Sequence, residues 1–98
     1  MTIRWSDYAL RERLIIWNQL SNAHPRAALS LNVCVERALR NLRTFPRLGR
    51  LHKSDDARVI VPHKRYQMIY RLKENAITIM SLRSVNRPWP PRDYPLNA

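Results

Sequence analysis

Tyr66-Gln67-Met68-Ile69-Tyr70-Arg71-Leu72, the polar link Lys73-Glu74-Asn75, and Ala76-Ile77-Thr78-Ile79-Met80-Ser81-Leu82-Arg83 form the stretch on which the fold turns. Two arms rich in aromatic and aliphatic residues flank three turn-forming residues, the pattern of a β-hairpin. Upstream, Arg58-Val59-Ile60-Val61 is β-branched and predicts a third strand, stopped by Pro62, with His63-Lys64-Arg65 as a basic turn into the hairpin. Downstream, Arg87-Pro88-Trp89-Pro90-Pro91 cannot continue a ladder, because proline brings no N–H to it. Residues 91–98 are expected to form a loose tail.

The N-terminal half has a different period. Pro25 suits the first turn of a helix, where its missing N–H costs nothing. From there to about Phe45 a stripe of Ala28, Leu31, Val35, Ala38, Leu42 and Phe45 recurs at helical spacing, leaving Arg37, Arg40 and Arg43 for water. Phe45-Pro46-Arg47-Leu48-Gly49-Arg50 ends this helix, and Leu51 to Ala57, with no clear period, reads as an ordered loop. Before it, Ser6 offers an N-cap and Asp7 a first-turn carboxylate for a helix reaching about Asn22. Leu10, Leu14 and Trp17, at i, i+4 and i+7, are expected to form its buried face. Thr2 to Trp5 alternates as a short opening strand. The order is β-α-α-β-β-β. The expected architecture is α+β, one domain over residues 1–98, with a helical hairpin packed on a small, mainly antiparallel sheet.

Composition narrows the functions such a domain can have. The 98 residues suffice for one modest core, and 45% hydrophobic with 26% charged residues suits a folded chain. A single glycine, Gly49, rules out a glycine-rich phosphate loop and with it the nucleotide-binding folds built on one. His24 and His52 lack ligand spacing, and no metal or cofactor is called for. Cys34, the one cysteine, has no partner for an internal disulfide and falls among Leu31, Val35 and Ala38 as a small core residue. With no apolar run near the length of a membrane span and no leader-like start, no membrane association is expected and a reducing cytoplasm is the expected compartment.

Charge points to a partner. Eighteen Lys and Arg oppose seven Asp and Glu, a formal net charge of +11. Fifteen of the cations are arginine, whose planar fork suits carboxylate and phosphate. Between Arg37 and Arg71 ten cations face only Asp55 and Asp56. Ordinary surfaces mix both signs, so a polyanionic partner is expected: nucleic acid, a ribosome or an acidic protein.

Several phrases in this order resemble the RelE/ParE toxin superfamily of type II toxin–antitoxin systems, on the ParE side. They are Trp5-Ser6-Asp7-Tyr8-Ala9 before the first helix and His24-Pro25-Arg26-Ala27-Ala28 between the helices. Leu42 to Arg50 is similar to the family's L-x-x-x-P-x-x-G-R ending of the second helix. Tyr66 to Arg71, Ile77 to Val85, and Asn86-Arg87-Pro88-Trp89-Pro90 resemble its last strands and C-terminal end. The resemblance spans roughly residues 3 to 91 and implies a plasmid-stabilisation type toxin silenced by a cognate acidic antitoxin protein. Its ParE branch implies DNA gyrase as the target and inhibition without chemistry. Its RelE branch implies ribosome-dependent cleavage of mRNA.

Cleavage by a 2′-hydroxyl needs groups to take and give a proton and cations to steady the phosphorane. The residues available for that alternative are Arg65, Arg71 and Arg87 for phosphate and Tyr94 near the leaving group. Gln67 stands where the RelE pattern carries a key arginine, so the set is incomplete. On the ParE reading, Arg83, Arg87 and Trp89 are the expected target-facing residues. Trp89, between two prolines in an expected exposed tail, either folds back on the sheet or meets a partner. Leu14, Trp17, Leu31 and Val35 are expected to present a groove to an antitoxin segment whose acids meet Arg40, Arg43 and Arg47.

Overall fold

The computed structural model describes residues 1–52, 56–92 and 94. Its elements are β1 (Thr2–Trp5), α1 (Asp7–Ala23), α2 (Pro25–Thr44), β2 (Arg50–Leu51), β3 (Ala57–His63), β4 (Tyr66–Lys73) and β5 (Ala76–Ser84). Both helix starts follow from local chemistry. Ser6 Oγ accepts from the Ala9 N–H at 3.1 Å, and Pro25 opens α2 directly after His24, whose own N–H closes α1 on Leu20 O. The chain leaves α2 at Phe45, whose N–H bonds Asn41 O, and Pro46 forbids another turn.

The sheet order is β1-β5-β4-β3-β2. β1 lies parallel to β5 and the other pairs are antiparallel, so the sheet is mixed with one parallel edge. Two features go beyond the sequence reading. Arg50–Leu51, expected in a loop, adds a two-residue edge strand against Val59 and Arg58. β3 also continues through Pro62: its register with β4 shifts between Ile60 and His63, so the proline sits where no ladder donor is required. Of the expected loop from Leu51 to Ala57, residues 53–55 lie outside the described residues.

The helices cover one sheet face. Ala9, Leu31, Val35, Leu39 and Leu42 pack there against Met68, Tyr70, Ile77, Ile79 and Leu82. Strict alternation would put Leu82 on the opposite face from Ile77 and Ile79. A bulge in β5 resolves this, since Ile69 pairs with Ser81 and Tyr70 with Ile79, leaving Met80 as the extra residue. The second face carries a smaller cluster of Ala57, Val59, Ile69 and Met80, closed by Trp89 and flanked by Tyr94.

Three burial expectations are corrected. Leu10, Leu14 and Trp17 are not the buried face of α1: they are 49%, 59% and 39% exposed, and the inward side holds Ala9, Ile16 and Leu20 instead. Phe45 is exposed, and Leu39, outside the expected stripe, is buried in the core. Cys34 is half-buried rather than core. A helical period identifies a stripe but not what covers it, which is why these positions misread.

Candidate functional site

Two regions gather side chains whose chemistry exceeds what packing needs. The first is the trough between the helices. Leu10, Leu14 and Trp17 of α1 form one wall, Ala28, Leu31 and Val35 of α2 the floor and far wall, and Leu82 closes the depth, around a cavity of about 470 Å³. Arg13 crosses it, donating to Asn32 Oδ1 at 2.6 Å and Glu36 Oε1 at 3.2 Å while its guanidinium stacks 4.8 Å from the Trp5 ring. The structure thus brings Leu14, Trp17, Leu31 and Val35 together. Arg40, Arg43 and Arg47 stand exposed along the C-terminal part of α2 and the loop after it. Apolar walls with a cationic extension fit an amphipathic acidic segment.

The second region is built on Arg83, the largest fully buried side chain. β1 ends opposite Ile79, so among the described residues β5 from Met80 onward has no strand on that edge. α1 covers it instead. Glu12 accepts from Ser81 Oγ at 2.7 Å, from the Leu82 N–H at 3.0 Å, and from Arg83 Nη2 at 3.1 Å. One carboxylate therefore meets an edge N–H and neutralises a buried cation. Arg83 also donates to Ser81 Oγ, Pro88 O and Tyr8 Oη, and lies 5.7 Å from the Trp89 ring centre. Tyr94 stands edge-on to both Trp89 and Tyr8, with ring centres 4.3 and 4.9 Å apart. Burial pushes the Tyr94 phenol above its usual pKa, with the Arg71 charge opposing.

This geometry bears out the fold-back reading of Trp89 and corrects the exposed one. Trp89 is 7% exposed and Arg83 is buried, so the chain after β5 folds back on the sheet. Residues 93 and 95–98 of the expected loose tail lie outside the described residues. Arg87 alone of the expected target-facing trio is exposed. Its carbonyl accepts from Gln67 Nε2 at 2.9 Å, and Ser84 O accepts from the same amide at 3.2 Å. Glu12 and Tyr8, central to this cluster, were not singled out from the sequence. Their i, i+4 spacing on α1 was the available signal.

The residues named for phosphate chemistry are not brought together as one set. Arg65 sits at the β3–β4 turn, its carbonyl accepting from Val85 N, at the end of the hairpin where Arg87 follows β5. Arg71 lies six residues further along β4, roughly 20 Å away in extended chain. Tyr94 is held among Tyr8, Met80 and Trp89, and its raised pKa opposes phenolate formation.

The loop between α2 and β2 has its own lock. Gly49 N–H donates to Tyr70 Oη at 2.9 Å, Tyr70 Oη donates to Pro46 O at 2.7 Å, and Arg58 Nη1 donates to Arg47 O and Gly49 O. A Cβ on Gly49 would lie 2.8 Å from Tyr70 Cε1, so this position needs glycine for the close approach of a buried ring. The P-x-x-G-R segment is thus pinned to the middle of the sheet.

With that geometry in place, comparison with known proteins gives three results. Residues 3–89 match the family model described as ParE toxin of type II toxin-antitoxin system, parDE. Among solved structures, the chain is similar to one titled as a chromosomal ParDE TA system from P. aeruginosa, with a TM-score of 0.74 and 18% identity over 87% of this chain and 96% of that one. No curated protein matches.

Proposed function

Since the chain belongs to the ParE toxin family of type II toxin–antitoxin systems, we propose that it poisons DNA gyrase as a protein inhibitor and is silenced by an acidic antitoxin. The observation that carries the target reading is the use made of Gln67. Where the nuclease pattern places a phosphate-clamping arginine on β4, this chain has an amide spent on holding the backbone at Ser84 and Arg87. Losing one such clamp removes about 3 kcal/mol of transition-state stabilisation.

On this reading the working surface is the turn after β5. Arg87 is its exposed cation, while Arg83 and Trp89 act from beneath. Arg83 Nη1 bonds Pro88 O, and Trp89 fills the second sheet face, so the turn has one shape rather than many. The antitoxin segment would lay apolar side chains on Leu14, Trp17, Leu31 and Val35 and its acids along Arg40, Arg43 and Arg47. Bound there, it would silence the toxin by covering the helices or by steric exclusion at the rim.

The test is a supercoiling reaction with purified gyrase and plasmid, ended with detergent and protease. Accumulation of linear DNA that depends on the toxin, and its loss in Arg87→Ala with antitoxin binding intact, is the expected result. Unchanged supercoiling with ribosome-dependent transcript cutting would overturn the gyrase assignment.

A further inference from the structure

The sheet face opposite the helices carries a second cavity, which adjoins the Trp89–Tyr94 cluster at Met80. It has a volume of about 510 Å³ and is lined by Arg4, Arg71, Lys73, Glu74, Ala76, Thr78 and Met80. Register explains the grouping. Arg4 of β1 pairs with Thr78 of β5, which pairs with Arg71 of β4, so two guanidinium side chains flank one hydroxyl across three adjacent strands. The outer backbones are roughly 10 Å apart, a span that two arginine side chains can close upon a single tetrahedral anion. Lys73 follows two residues after Arg71 on the same face. Glu74 is the one acid among the described lining residues.

We infer that this Arg4–Thr78–Arg71 row, with Lys73, is a binding site for the phosphodiester backbone of a nucleic-acid strand. Arg4 and Lys73 are exposed, and among the described residues neither has an ion-pair partner. The tail that packs on this face adds exposed Arg87 and Arg92, so cations continue beyond the cavity. Guanidinium forks beside a hydroxyl suit phosphate oxygens, and a chain with one charge per nucleotide suits a line of cations. None of the described lining residues is aromatic, so the site reads backbone rather than bases, and binding is independent of sequence. The inference goes beyond the gyrase reading and does not rest on it: a toxin could act on gyrase with this face idle.

The experiment measures fluorescence polarisation of labelled dT and rU 12-mers with the full chain across a salt series. Arg4→Glu/Lys73→Glu is compared with Arg26→Glu/Arg37→Glu, which makes the same charge change on the exposed face of α2. The expected result is a loss of at least about tenfold for the first pair only. The slope of log affinity against log salt should also flatten by about 1.4, two contacts at 0.7 each. Should charge reversal unfold the chain in a thermal melt, Arg4→Gln/Lys73→Gln carries the same comparison. A preference for dT or rU identifies the source as DNA or RNA. Equal losses for both pairs would reduce the effect to diffuse charge and overturn the site. Displacement by polyglutamate at lower concentration than by oligonucleotide would overturn it in favour of an acidic protein.

Discussion

Glu12→Ala tests the account of the Arg83 cluster most directly. The substitution removes one carboxylate and takes an acceptor from three donors: Ser81 Oγ and the Leu82 N–H, and Arg83 Nη2, which keeps only Tyr8 Oη. The Arg83 side chain is 2% exposed and that of Glu12 14%, so water reaches the carboxylate side but not the guanidinium. Removing one partner of a buried pair costs ~3–5 kcal/mol, because the remaining charge stays buried and uncompensated. Tyr8 Oη and Pro88 O still accept from Arg83, and the opening at Glu12 admits some water, which sets the expectation near the lower end, about 3 kcal/mol. A domain of this size has ~5–15 kcal/mol in all and shifts its melting temperature ~4–8 °C per kcal/mol, so a drop of about 12–24 °C is expected. Circular dichroism during thermal and urea unfolding measures it. Glu12→Gln keeps an acceptor for Ser81 and Leu82 and should lose only about half as much. Glu12→Leu/Arg83→Met removes both charges and should be more stable than Glu12→Ala alone. A loss below 1 kcal/mol for Glu12→Ala, or a double variant worse than either single one, would refute the reasoning.

Three further outcomes follow from other parts of the structure. Gly49→Ala forces a methyl against the buried Tyr70 ring and Ile60 Cγ2, and should cost ~1–3 kcal/mol in urea unfolding, as overpacking does. Trp17→Ala at the groove rim should weaken binding of the cognate antitoxin by about 2 kcal/mol, some thirtyfold, in calorimetry, with the melting temperature of the free toxin little changed. Burial raises the Tyr70 and Tyr94 phenols above the usual value of 10.0. Both are neutral in folded and unfolded chains below pH 10, where their contribution is fully present. Above it the unfolded chain ionises first, so stability should fall as pH rises through the folded values, less steeply in Tyr70→Phe/Tyr94→Phe.

The signals legible in the sequence are those with short range. Ser6 caps α1, Pro25 opens α2, Pro46 ends it, and the two apolar arms around Glu74-Asn75 pair as β4 and β5. Each is decided by residues a few positions apart, and their order sufficed for the α+β class and the family resemblance. The stripe of Leu10, Leu14 and Trp17 was equally visible. Its covering was not, because a 3.6-residue period is the same whether the face meets the chain's own sheet or a partner.

Tertiary structure decided the rest. The bulge at Met80 shifts the parity of β5, sending Leu82 to the helices and Arg83 to the opposite side, and no local propensity marks where a bulge falls. Arg83 reads as a surface cation until Glu12, 71 positions earlier, comes within 3.1 Å. Whether Trp89 folds back or meets a partner stays open in the sequence until the second sheet face supplies Val59, Ile69 and Met80 to bury it. The groove, the buried arginine and the basic row across β1, β5 and β4 all join residues from distant parts of the chain. Sequence alone determined which residues could take such places. Strand order and register determined which of them met.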